Sequence, residues 1–144
     1  MPTLTRWHIR TAFCCFLATL VLGVLLALNE VVALPTFLGA TFLGAMGPVY
    51  FHLLMVGWVT QLIFGVAFWL FPKKSTAQPR GNERLAWATF GMLNGGLLIR
   101  IVAEPLTILQ PSLLASVLVI VATALQWGAG VGFVVNTWNR VGSK

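Results

Sequence analysis

Charge is the scarcest property of this 144-residue chain: 8% of its residues are charged, and only three are acidic. A soluble domain carries about 25% charged residues, so the surface that would face water is missing and a soluble globule is excluded. Cysteine is equally sparse. Cys14 and Cys15 stand side by side, which says nothing about a disulfide framework, and they are read as small buried apolar residues. Histidine occurs twice, at His8 and His52, so chemistry that needs a cluster of imidazoles has little to draw on.

Apolar sequence is abundant instead. Hydrophobic residues make up 58% of the chain, and the mean hydropathy is +0.91. Four apolar runs, 11–32, 48–71, 85–103 and 112–135, reach the roughly 18–20 residues that a helix needs to cross a bilayer. The expected fold is a single all-α integral membrane domain with four transmembrane helices. The first run has basic flanks like those of a signal peptide. Its apolar part is longer than a signal sequence carries and no small-residue cleavage site follows, so it is expected to be a retained span.

The net charge of +6 does not describe a nucleic-acid surface. Arg6, Arg10, Lys73, Lys74, Arg80, Arg84, Arg140 and Lys144 lie at the ends of the runs rather than along one face. By the positive-inside rule this places both termini in the cytoplasm. The expected location is a bacterial or archaeal cytoplasmic membrane. The one polar connection, 72–84, is short and cytoplasmic on this reading. The other long connection, 33–47, is apolar and holds the repeat TFLGA–TFLGA at 36–45. Pro35, Gly39, Gly44 and Gly47 argue against one straight helix. A short interfacial helix is expected, with a lid over a site near His52 as its functional version.

The second run, PVYFHLLMVGWVTQLIFGVAFWLFP from Pro48 to Pro72, organises the rest. Pro48 suits the first turn of a helix. His52 sits in the apolar part, where an imidazole needs a partner, and an ionisable group inside a membrane span marks a functional site. His8, beside Trp7, is expected at headgroup level. With about 100° per residue, Val56, Val59 and Ile63 share a face with His52, while Gly57, Gln61 and Gly65 form a stripe opposite. Small residues recur in the third run at Gly91, Gly95 and Gly96 and in the fourth at Gly128, Gly130 and Gly132. Such residues let helix backbones approach closely, and their number points to a homo-oligomer.

Arg100, in the third run, falls at the same depth as His52 near the outer surface if the helices alternate in direction. Two readings stand for it: an i,i+4 ion pair with Glu104, or a contact with a ligand carboxylate, for which arginine is well suited. A haem fits the second layout, with the His52 imidazole on iron and Arg100 on a propionate. Met55, one turn beyond His52, is a candidate further donor; Met46 and Met92 are others. Gly57, Gly65 and Gly96 clear space for a flat ring or a neighbouring helix.

The stretch HLLMVGWVTQLIFGVAFWLFP resembles the second helix of the haem-copper oxidase superfamily, whose early histidine ligates haem. AWATFGMLNGGLLIRIVAE, Ala86–Glu104, is similar to the following helix of the haem- and copper-containing NnrS proteins, which also carry a Trp, an Asn, small residues and Leu-Leu-Arg. The resemblance covers about a third of the chain. It implies a b-type haem ligated by His52. It also implies that this chain corresponds to one four-helix arc of a twelve-helix ring, completed as a homotrimer. Catalytic members carry several histidines and a tyrosine near a copper; here Tyr50 is the one tyrosine. Copper and oxygen reduction by one copy are therefore not expected. The reading is a haem-binding membrane protein in electron transfer or in binding NO or O2. The alternative is a cofactor-free accessory or assembly subunit of a respiratory membrane complex.

Overall fold

A computed structural model describes residues 1–31, 40–73 and 80–141. Four helices in it are long and apolar enough to cross a membrane: α1 (Thr3–Val31), α3 (Gly47–Leu70), α4 (Glu83–Leu109) and α5 (Leu113–Val141). A short helix, α2 (Ala40–Ala45), precedes α3. The protein is thus an all-helical integral membrane protein among its described residues. The helix expected within 33–47 is present for its second half, while 32–39 lie outside the described residues.

The helices outrun the apolar sequence. α1 begins at Thr3, eight residues before the first run, and carries Arg6 and Arg10 within it. Pro105, which in the sequence marks the end of the third span, lies inside α4, and the helix continues to Leu109. Proline there removes the backbone bond to the Ile101 carbonyl one turn back; two residues on, the hydroxyl of Thr107 donates to the Glu104 carbonyl at 2.7 Å. α4 opens on Asn82, whose side chain accepts from Leu85 N at 3.2 Å as an N-cap. Gly81 before it has φ +80, and a Cβ there would lie 2.6 Å from Asn136 Oδ1, so only glycine lets the turn lie against α5.

α1 packs on α3, α4 packs on α5, and the two pairs meet mainly through α3 and α4. Three apolar clusters run along the bundle. Leu4, Phe68 and Ala86 pack at the end that holds both termini; Phe64, Leu93 and Ala129 come next; Cys15, Leu22, Val49, Leu53 and Leu97 pack towards the other end. Glycines set the close approaches. A Cβ on Gly57 would lie 2.8 Å from Cys15 Cβ, and one on Gly65 would lie 2.6 Å from His8 Cβ. On α4, a Cβ at Gly96 would meet the Ala122 carbonyl of α5 at 2.8 Å. Space at these positions is taken by neighbouring helices. Gly91, Gly95 and Gly130 would meet nothing within 4 Å.

α3 departs from regular geometry in its middle. Leu53–Thr60 is π-helical, between α-helical turns at Gly47–His52 and Gln61–Leu70. This corrects the facial assignment made from the sequence. His52 and Gln61 are nine residues apart and would stand on opposite sides of an α-helix. Each residue accommodated in the wider i→i+5 turns rotates the later part of the helix by about 100°. Both side chains accordingly reach α4: His52 approaches Glu104 and Gln61 approaches Asn94. Ile63, expected on the His52 face, is 55% exposed.

Candidate functional site

The candidate site begins with the first turn of α3. Pro48 stands at the helix start, and its carbonyl accepts from His52 Nδ1 at 2.9 Å. A carbonyl has no proton to give, so Nδ1 carries the hydrogen. In the neutral ring, Nε2 is left with the lone pair, and it makes no hydrogen bond among the described residues. Glu104 Oε2 lies 3.3 Å from the same Nδ1. That oxygen is buried and has no hydrogen bond of its own.

The other oxygen of Glu104 accepts from Arg100 Nη1 in an i,i+4 pair. Of the two readings of Arg100, the structure contains the ion pair. The guanidinium reaches further: Nε donates to Gln126 Oε1 at 3.1 Å, and Nη2 donates to Thr123 Oγ1 at 2.5 Å, both on α5. Gly96, one turn earlier, brings α5 near enough for these contacts. Arg100 uses three of its five N–H groups in this way. The sequence expectation that His52 and Arg100 share a depth agrees with Glu104 joining them. Met55 is 41% exposed, and its carbonyl accepts from Thr60 Oγ1 at 2.8 Å.

A second polar chain lies nearer the terminal end. His8, expected among the headgroups, is 2% exposed and is the second histidine inside the bundle. Its Nδ1 pairs with Gln61 Oε1 at 2.6 Å, Gln61 Nε2 donates to Asn94 Oδ1 at 2.6 Å, and Asn94 Nδ2 donates to the Phe90 carbonyl at 2.8 Å. The last acceptor fixes every proton before it, since Phe90 O can only accept. Thus His8 Nδ1 is a donor. Phe90 meets the imidazole edge-on at a centroid distance of 4.9 Å.

Arg140, read from the sequence as a flanking charge, is fully buried. It donates to the carbonyls of Phe68 at 3.1 Å, Phe71 at 2.7 Å and Pro72 at 3.0 Å. These are the acceptors left over where α3 ends. Its role is structural: the last span closes the end of the second.

No family model, curated protein or solved structure matches the chain. The site must therefore be judged on its own chemistry. Among the described residues no three His, Cys, Asp or Glu side chains converge to hold an ion. Haem asks less of the protein, since one imidazole can hold it. His52 fits that part: its Nδ1–H is fixed by a backbone carbonyl and faces a carboxylate, the outer-shell arrangement that orients ligating histidines.

Proposed function

We propose that this protein is a b-type haem-binding membrane subunit with His52 Nε2 as the axial ligand. The carrying observation is the pair of acceptors, Pro48 O and Glu104, at His52 Nδ1, which leaves Nε2 as the donor nitrogen. Arg100 acts first through Glu104, holding the carboxylate beside the ring. Its two remaining N–H groups suit a propionate. A haem held there supplies reversible one-electron chemistry or an iron that binds NO or O2.

Met55 lies on the same helix as His52, three residues on, so if its thioether were also to hold the group, it would come from another copy of the chain. This agrees with the proposed homotrimer, in which three four-span units make a twelve-helix ring with both termini in the cytoplasm. Gly91 and Gly95, where an added Cβ would meet nothing within 4 Å among the described residues, offer a face for such contacts.

The test is an absorbance spectrum of protein purified from haem-replete cells, with and without dithionite. A Soret band that His52→Ala removes and Met55→Leu leaves or shifts supports the proposal. Colourless protein that purifies with a larger respiratory complex would instead support the cofactor-free accessory reading. The open glycine face of α4 is the observation that favours this second reading.

A further inference from the structure

The terminal end of the bundle holds a small cavity that the haem reading does not use. It has about 10 Å³ for the centre of a water molecule, the size that admits a single water. Its walls are largely aromatic, with Phe64, Phe68 and Phe133, but three polar side chains also line it: His8, Thr89 and Asn136. Polar groups set among apolar walls need partners.

Each of the three has hydrogen-bonding capacity left. Thr89 is 3% exposed, and its Oγ1 is buried without a hydrogen bond. Asn136 spends Oδ1 on the Asn82 amide at 2.8 Å, so its Nδ2 protons remain. His8 spends Nδ1–H on Gln61, leaving the Nε2 lone pair. One vacant acceptor, one amide donor and one hydroxyl around a water-sized space match the two to four partners that a buried water requires.

We infer that this cavity is a specific binding site for one water molecule, which donates to His8 Nε2 and is held by Thr89 Oγ1 and Asn136 Nδ2. The water joins α1, α4 and α5 at one point and completes the chain that runs through Gln61 and Asn94. The imidazole is neutral in this arrangement. Among the described residues no carboxylate pairs with His8; the terminal end also carries Arg6, Arg10, Glu83 and Arg84, and the Arg140 guanidinium lies 5.8 Å from the Phe68 ring of the cavity wall. The chain beyond His8 ends in amides whose last donor meets a backbone carbonyl. It is therefore a hydrated brace and not a proton wire, because an amide relays no proton without changing its bonding.

Water-edited solid-state 15N NMR on histidine-labelled protein in lipid tests the inference. The expected spectrum shows a neutral His8 ring with Nδ1 protonated and magnetisation passing from water to Nε2. That transfer is lost in Thr89→Val and kept in Thr89→Ser. Valine nearly matches threonine in shape, and an unchanged Nδ1 signal confirms that the fold persists. A protonated Nε2, no water transfer in the parent protein, or transfer that survives Thr89→Val each overturns the inference.

Discussion

Gln61 accepts the Nδ1 proton of His8 at 2.6 Å across 53 residues of sequence. The contact ties α1 to α3, and the same Gln61 amide passes on to Asn94 of α4. Three helices therefore depend on one side chain that is itself fully buried.

Replacing Gln61 with leucine removes both bonds and leaves the His8 donor and the Asn94 acceptor stranded. Buried polar groups without partners cost about 1–3 kcal/mol each in water-soluble proteins. Membrane double-mutant cycles average about 0.6 kcal/mol per bond, which favours the lower end. Gln61→Leu is expected to lose about 1–2 kcal/mol in reversible denaturation from mixed micelles. Stability equal to the parent's would show that the chain contributes nothing.

The glycines divide by what surrounds them. Gly65→Ala places a methyl 2.6 Å from His8 Cβ, and overpacking of this kind costs about 1–3 kcal/mol. Gly91→Ala meets open space, where the helix propensity of alanine gains up to about 1 kcal/mol. Thermal unfolding of the two variants in detergent should shift in opposite directions. A loss at Gly91 that appears only in lipid would mean that another protein surface covers it.

Arg100, partly buried, pairs with buried Glu104 inside the span, so the single changes should be worse than the double. Glu104→Leu leaves a guanidinium short of its counter-charge within the span, and breaking such pairs costs about 3–5 kcal/mol. Arg100→Met with Glu104→Leu removes both charges and should recover most of that loss. A double variant whose loss equals the sum of the two single losses would show that the two residues act independently. The haem band is a second readout: on the proposed function, Glu104→Leu shifts it and His52→Ala abolishes it.

Arg140→Met strips the end of α3 of its donor. Hydrogen bonds from charged groups contribute about 1.5–3 kcal/mol each, and three short ones are lost together, although water at the membrane surface replaces part of them. A loss of about 2–4 kcal/mol is expected, with Arg140→Lys intermediate because an ammonium cannot span the same carbonyls. Hydrogen exchange should locate the loosening at 66–72 rather than along α5.

Much of this fold was legible in the sequence because bilayer crossings depend on local apolar length. The four runs, the start at Pro48 and the i,i+4 spacing of Arg100 and Glu104 could all be read directly. His8 could not. Arg6 and Arg10 on either side of it resemble a headgroup segment, and its burial depends on Gly65 leaving room on another helix. The signal was indirect: Gln61 and Asn94 are amides in mid-span, and each needed a polar partner. The π-helical stretch gave no local sign either, so a uniform period put His52 and Gln61 on opposing faces. Arg140 looked like any terminal cation because its acceptors lie 68 to 72 residues earlier.

The collar that Arg140 forms around the end of α3 constrains biogenesis. While the ribosome is still making the chain, the carbonyls of Phe68, Phe71 and Pro72 have no guanidinium to meet, since Arg140 follows them by 68 to 72 residues. The first helical hairpin can enter the bilayer early, but its rim at Phe68–Pro72 stays open to solvent until α5 has packed against it. Truncations that remove the last turn should therefore yield a protein that inserts normally and is then cleared by quality-control proteases.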